Sequence, residues 1–316
     1  MKPVVLLFEP IHEDAVALLR EKCVVRMATS LDEEALLAAV TDVDALIIRA
    51  HGAVTRRLLE HAPRLKVIGR HGVGLDAVDL AAARERGIAV VYTPDANTES
   101  VAEQALGFML VLAKKILPAD RAARRADWAV RYELTGTELY AKTLGLIGFG
   151  RIARRLAEMS RSALRMDLLY WDYAGRELAP PGLEARRAPL DELLARSDVV
   201  SVHVPLRPNT RRMIGEAELA RMKPTAFLIN TARGPIVDEP SLAAALRGRR
   251  IAGAGLDVYD IEPLRADNPL LALDNVVLSP HMSAHTGEAL RRMAMVAEDV
   301  LRVLEGAAPR HGYEIG

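Results

Sequence analysis

The chain reads as an α/β protein made of two Rossmann-like, doubly wound parallel-sheet domains, and three observations predict this. Short apolar runs alternate with amphipathic helical stretches along nearly the whole sequence, the pattern of parallel sheets covered on both faces. The alternation occurs twice, in halves that look alike in element order. Between Leu144–Ile147, a short apolar strand, and a helix from Ile152 stands Gly148-Phe-Gly-Arg-Ile-Ala153, a G-x-G-x-x-[GA] turn in the strand-turn-helix context that a dinucleotide fingerprint requires.

Bulk properties bound the rest. With 316 residues the chain is long enough for two domains. Half of it is apolar and its formal net charge is zero, so no bulk charge argues for nucleic acid or an anionic membrane as partner. No apolar run approaches the ~20 residues of a membrane span. The single cysteine, Cys23, excludes an intrachain disulfide and a clustered-thiolate metal site; no metal is expected. The opening Met-Lys-Pro-Val-Val-Leu-Leu-Phe is followed at once by Glu9, Glu13 and Asp14, and reads as a first strand rather than a signal peptide. A cytoplasmic protein is expected.

In order, strands are expected at Val4–Phe8, Val24–Met27, Ala45–Ile48, Lys66–Gly69 and Ala89–Tyr92, with helices at Glu13–Lys22, Leu31–Val40, Arg56–His61 and Leu80–Arg86. Arg70-His-Gly-Val-Gly-Leu-Asp76 follows the fourth strand; its two glycines expose consecutive N–H groups, a nest suited to a carboxylate. Thr93–Asn97 is a connection. From Thr98 to Ile116 a helix, apolar on more than one side, is expected to be buried between domains or subunits. Residues 119–142 read as an irregular connecting or dimer-arm segment with Trp128 and Tyr132. After the dinucleotide unit come strands at Asp167–Asp172, Val199–Pro205, Ala226–Thr231, Gly253–Val258 and Asn275–Ser279. A final helix, Thr286–Glu305, is expected to return to the first domain. The division is therefore 1–97 plus 285–316, flavodoxin-like and substrate-binding, and 98–284, NAD-binding.

Each later strand runs into a polar end, and in open α/β sheets ligands bind outside the carboxyl ends of the strands. Asp172, His203, Arg233, Asp257 and His281 could thus share one crevice. Gly148 permits the tight turn, Gly150 lets a pyrophosphate approach bare backbone, and Ala153 keeps the helix close to the strand. Asp172 falls near the roughly 20-residue spacing of the acid that binds the adenosine ribose hydroxyls. Its charge would repel a 2′-phosphate, so NAD rather than NADP is expected; the bland alternative is an Asp capping the next turn. Arg233, Glu262 and His281 are the parts needed to reduce a 2-oxo acid. Arg offers a fork for the carboxylate and carbonyl oxygen. His exchanges a proton with that oxygen, and Glu orients the ring and favours imidazolium. Each also has an ordinary explanation: a solvated loop Arg, a turn Glu before Pro, a capped loop His. His285 and Asp260 compete locally for the same roles.

With these motifs in view, the chain resembles the D-isomer-specific 2-hydroxyacid dehydrogenases over nearly its whole length. The resemblance rests on His71-Gly-Val-Gly-Leu-Asp76, Gly148–Ile152, His203-Val-Pro-Leu206, Asn230-Thr-Ala-Arg-Gly234, Leu256–Pro263 and Ser279-Pro-His281, in the family's order. It implies catalytic Arg233, Glu262 and His281. It implies Arg151 and Ile152 at the pyrophosphate, Asp172 on the ribose and Val204 on the adenine side. Thr231, Ala232 and Asp257 would lie near the nicotinamide, with Asp257 on its carboxamide. Val73 and Gly74 would bind the substrate carboxylate through backbone N–H groups. Family members are usually homodimers that close a cleft between two similar domains. Within the family the chain looks most like the 3-phosphoglycerate dehydrogenase branch, in a short form without its regulatory domain, and Arg49 matches a substrate-binding position of that branch. Departures are Met-Ser-Ala-His-Thr after His281 and His51 after Arg49. They leave a hydroxypyruvate/glyoxylate reductase as the alternative. A non-catalytic NAD(H)-sensing corepressor-like protein is the alternative of another class, and a formate- or phosphite-type dehydrogenase ranks lower.

Overall fold

The computed structural model describes residues 2–175 and 177–313; residues 314–316 of the expected first domain lie outside them. The chain divides into two compact units, Met1–Asn97 with His285–Gly316, and Thr98–Ala284.

In the first unit β1 (Val4–Leu7), α1 (Glu13–Lys22), β2 (Val24–Met27), α2 (Glu33–Ala39), β3 (Ala45–Ile48), α3 (Arg56–Glu60), β4 (Val67–Arg70), α4 (Leu80–Glu85) and β5 (Ala89–Tyr92) follow in turn. The five strands are parallel in the order β2-β1-β3-β4-β5, a doubly wound order. Val5, Leu7, Ala45, Ile47, Val67 and Val91 face one core, and Leu6, Leu46, Ile48, Ile68 and Val90 face another. Alternate residues of each strand thus point to opposite buried faces.

The second unit begins with α5 (Thr98–Ala113) and α6 (Ile116–Arg124). One helix was expected through Ile116 and an irregular stretch from 119; instead the helix ends at Ala113, and a second one occupies 116–124. Lys115 turns left-handed (φ 52°) and the Ala113 carbonyl accepts the Thr137 N–H at 2.8 Å, which stops the first helix. Pro118 then sits in the first turn of α6, where its missing N–H costs nothing. The apolar faces of α5 are used inside this unit: Ala102, Ala105, Phe108 and Met109 share a core with Leu144, Leu146, Tyr170 and Ile229.

There follow β6 (Thr143–Ile147), α7 (Arg151–Leu164), β7 (Asp167–Trp171), β8 (Ala185–Arg187), α8 (Leu190–Arg196), β9 (Val199–Val202), α9 (Glu216–Arg221), β10 (Phe227–Asn230), α10 (Glu239–Arg247), β11 (Gly253–Leu256) and β12 (Val276–Leu278). Their seven-stranded order, β12-β11-β10-β9-β6-β7-β8, is parallel throughout. The order reverses between β6 and β9, the switch point where ligands of such sheets bind. β8 is an Ala-Arg-Arg edge strand without the apolar run by which a buried strand is recognised.

The expected last helix is two, α11 (Gly287–Ala294) and α12 (Val296–Leu304), broken at Met295. Thr286 caps α11 by accepting the Ala289 N–H at 3.3 Å. α12 covers the first sheet with Val296, Ala297, Val300 and Leu301. Gly69 makes room for it: a Cβ there would lie 2.7 Å from Val300. Among the described residues no helix is long and apolar enough to cross a membrane.

Candidate active site

The switch point of the second sheet is built around missing side chains. Gly148 leaves β6 with φ 90°, and a Cβ on it would stand 2.8 Å from the His203 carbonyl carbon, so only glycine fits the turn. Its N–H donates to the Trp171 carbonyl at 2.8 Å. Gly150 is the N-cap of α7, supplies no side-chain cap, and has open space where a Cβ would be. The first-turn N–H groups of Arg151, Ile152 and Ala153 therefore meet an uncovered approach, which suits a pyrophosphate. Ala153 is fully buried and Val204 is buried beside the turn, its Cγ1 2.9 Å from where a Cβ on Gly148 would stand. Phe149 locks the turn from beneath, its ring stacked on Tyr170 with centroids 4.1 Å apart.

Asp172, which follows β7, has both carboxylate oxygens engaged by backbone N–H groups. Its Oδ1 accepts the Ala174 N–H at 2.8 Å, capping the turn, and its Oδ2 accepts the Phe149 N–H at 3.0 Å, reaching into the glycine loop. His203 Nε2 pairs with the Ser201 hydroxyl at 2.8 Å.

At the end of β10, buried Asn230 ties the next loop to itself: Oδ1 accepts the Ala232 N–H, and Nδ2 donates to the Arg233 carbonyl, both at 3.0 Å. Thr231 is buried here with a hydroxyl that has no hydrogen-bond partner among the described residues, so a polar cofactor group would satisfy it. Gly234 then presses on the loop after β11; a Cβ on it would lie 1.9 Å from the Tyr259 carbonyl. That contact brings the Arg233 segment against the Glu262 segment. Glu262 Oε1 accepts the Tyr259 N–H at 3.0 Å, and Oε2 meets His281 Nδ1 at 2.6 Å. Burial pushes the Glu262 carboxyl up, but the bonds from His281 and Tyr259, with the charges of His281 and Arg233 behind them, hold it below its ordinary value. The structure thus draws together Arg233, Glu262 and His281 from three separate strand ends. His281 has φ 50°, an uncommon backbone state for a non-glycine residue and one met at constrained functional positions. Asp260, the rival acid, gives its N–H to Glu239 Oε2 at 3.1 Å, and His285 falls in the other unit.

Asp257 is 1 % exposed, and its carboxylate is already occupied. Oδ1 accepts from the Ser279 hydroxyl at 2.5 Å and the Met282 N–H at 2.9 Å. Oδ2 accepts from both the hydroxyl and the N–H of Ser283. Its own carbonyl takes the His281 N–H at 2.8 Å. Asp257 knots the loop that carries His281, a role that spacing did not disclose.

In the first unit Arg49 directly follows β3 and donates to the Pro10 carbonyl at 2.9 Å. His51 pairs with Glu9 at 2.9 Å, and Glu9 also accepts the N–H groups of Ala50 and His51 at 2.6 and 2.8 Å. Val73 and Gly74 lie in the loop after β4. Among the described residues no acceptor takes the N–H of Gly72, Val73 or Gly74. Among those residues, too, no group of three His, Cys, Asp or Glu side chains is arranged to hold a metal.

Comparison with known proteins decides what this site belongs to. Residues 106–283 match the model of the D-isomer specific 2-hydroxyacid dehydrogenase, NAD binding domain. The chain belongs to that family. It is 43% identical over 304 residues to a D-3-phosphoglycerate dehydrogenase of Methanocaldococcus jannaschii, covering 96% of this chain and 57% of that one. It spans little more than half the length of such phosphoglycerate relatives. A glyoxylate reductase of Thermofilum pendens is 41% identical over 319 residues, with 98% of this chain and 93% of that one covered. Among solved structures, the TT0316 protein from Thermus thermophilus superposes with a TM-score of 0.91 at 38% identity, covering 98% of this chain and all of that one. Asn230, Gly234, Tyr259 and Asp257 stand in the motifs quoted above, but their parts in tying these loops together were not read from the sequence. The Arg-Gly dipeptide at 233–234 was the only local signal for any of them.

Proposed function

We propose that this chain is an NAD-dependent D-2-hydroxyacid dehydrogenase acting between C2 of a 2-hydroxy acid and the corresponding 2-oxo acid. The observation that carries this is the 2.6 Å contact of Glu262 with His281 Nδ1, with the charge of Arg233 acting on the same carboxylate. The bound nicotinamide supplies or accepts the hydride. Residues Gly148, Gly150, Arg151, Ile152 and Val204 hold the dinucleotide, and Asp172 selects against a 2′-phosphate. Thr231 and Ala232 line the nicotinamide end. Asp257, its oxygens taken up by Ser279, Met282 and Ser283, serves that end by fixing the loop. With Glu262 on Nδ1, the His281 ring offers Nε2 to the substrate oxygen: it gives a proton in reduction and takes one in oxidation. Arg233 binds the carboxylate and polarises the carbonyl. The N–H groups of Val73 and Gly74 receive the same carboxylate, and Arg49 holds the rest of the acid.

The first substrate reading is 3-phosphoglycerate, supported by the phosphoglycerate dehydrogenase relatives and by Arg49. The second is glyoxylate or hydroxypyruvate, supported by the Thermofilum reductase, which this chain matches over 93% of its length. We further propose a cytoplasmic homodimer. The exposed Ile116, Leu117, Trp128, Tyr132 and Tyr140 give a second copy an apolar surface to cover. The test is nicotinamide-coupled turnover of phosphohydroxypyruvate, hydroxypyruvate, glyoxylate, pyruvate and 2-oxoglutarate, with NADH and NADPH in parallel and light scattering for mass. Selective turnover of phosphohydroxypyruvate with NADH supports the first reading, and an unphosphorylated acid the second. Tight NADH binding without turnover of any acid would replace the enzyme by an NAD(H)-sensing binding protein.

A further inference from the structure

The loop after β4 owes its shape to the residue that precedes it. Arg70 is the last residue of β4, and its guanidinium folds back over its own loop. Nε donates to the Gly74 carbonyl at 2.6 Å, and Nη1 donates to the His71 carbonyl at 2.9 Å and to the Arg49 carbonyl. From the other side, Thr93 gives its N–H and its hydroxyl to the Gly72 carbonyl at 3.1 and 3.3 Å. Gly72 has φ 130°, and a Cβ on it would lie 3.6 Å from the Arg70 guanidinium carbon, so the fork packs against the bare turn.

A peptide group is planar, with its carbonyl and the next N–H pointing in opposite directions. Tying the carbonyls of 71, 72 and 74 therefore fixes the N–H groups of Gly72, Val73 and Leu75. The one plane of the loop that no bond ties among the described residues, between Val73 and Gly74, is held between fixed neighbours. The same guanidinium holds the Arg49 carbonyl, and with it the Arg49–Ala50 plane whose N–H goes to Glu9. One side chain thus ties the N–H nest to the strand end that carries Arg49.

We propose that Arg70, backed by Thr93, is the positioning residue of the substrate-carboxylate nest, turning its carbonyls inward so that its N–H groups face the acid. Arg70 does not touch substrate, and the proposal rests on the reading above that Val73 and Gly74 receive the carboxylate. Lysine keeps the charge but is a point donor on a flexible stem and cannot bridge three carbonyls.

The experiment uses the full chain with NADH, glyoxylate as substrate and oxalate as a non-reacting carboxylate probe. In Arg70→Lys and Arg70→Gln, KM for glyoxylate and Kd for oxalate should rise together by about tenfold or more, while kcat stays within about threefold and NADH affinity is unchanged. Thr93→Val leaves the fork in place and serves if the Arg70 variants unfold; both constants should rise about threefold. For Arg70→Ala, added guanidinium should lower KM again, whereas methylammonium should not. Wild-type KM and oxalate binding in a folded Arg70 variant, or in Thr93→Val where the Arg70 variants unfold, would overturn the proposal and leave the dehydrogenase standing. A wild-type protein that binds NADH but neither reduces glyoxylate nor binds oxalate would remove the nest reading and this proposal with it.

Discussion

Replacing Glu262 by Gln asks whether the acid does more than fill space. Glu262 answers two donors, the Tyr259 N–H at 3.0 Å and His281 Nδ1 at 2.6 Å. Glutamine has one oxygen for the two. If that oxygen stays on Tyr259, the amide NH2 faces Nδ1, and the ring must carry its hydrogen on Nε2, where it cannot take a proton from a hydroxy acid. If the amide turns over, NH2 opposes the Tyr259 N–H and leaves it unsatisfied, at about 1–3 kcal/mol. The lost charge adds little, about 0.5–1 kcal/mol, because the pair is partly exposed, His281 at 51% and Glu262 at 35%. The sum, about 1.5–4 kcal/mol, corresponds to a roughly 10- to 900-fold loss in kcat/KM, alike in oxidation and reduction because the equilibrium constant fixes the ratio of the two. Steady-state rates in both directions, with NADH affinity and melting temperature as controls, measure it. Rates within about threefold of wild type in both directions, in a folded variant, would refute the acid–imidazole reasoning.

His281→Ala should lower turnover by roughly 10²–10⁴-fold with NADH affinity preserved, read by the same assay with a binding titration. Gly234→Ala places a methyl group inside the Tyr259 carbonyl. We expect at least about 3 kcal/mol of destabilisation, because backbone must move, and a fall in kcat as the Arg233 and Glu262 segments separate; thermal melts and rates report both. His71 gives a pH prediction. It is 3% exposed, and burial first, then the charges of Arg49 and Arg70, pushes it down from 6.5 to about 4. The unfolded ring takes a proton near 6.5 and the folded ring refuses one until about 4. Stability is therefore full above that window and falls as pH drops through it, by about 2 kcal/mol near pH 5. Urea unfolding at the two ends of the window should show the loss, and His71→Leu should flatten it.

Much of the fold was legible because buried parallel strands are short apolar runs, and these stand out between helices at Val4–Leu7, Ala45–Ile48 and Val199–Val202. The glycine turn was legible because its constraint is local: strand, turn and helix are contiguous. What failed to show was of two kinds. The break at Lys115 depends on Thr137 reaching back to the Ala113 carbonyl, and β8 is a strand only because it pairs with β7. Neither partner is encoded nearby. The site behaves likewise: Arg233, Glu262 and His281 could be named by residue type, but their meeting depends on a missing side chain at Gly234 and on the Asp257 knot. A contact of that kind leaves a mark in sequence no larger than one glycine or one acid.

The split course of the first unit has a consequence for how the protein comes off the ribosome. The second unit is one uninterrupted stretch, Thr98–Ala284, whereas the first needs α12 to cover Val5, Ile47 and Val67. During synthesis α1 covers part of that face through Ala15 and Leu19, and the rest stays bare until α12 emerges, although the strands were made first. The usual order in which the N-terminal domain matures first is therefore inverted: Thr98–Ala284 can close while the first five strands wait for α12. In the interval the nascent protein presents a partly bare apolar face, the surface on which holding chaperones act.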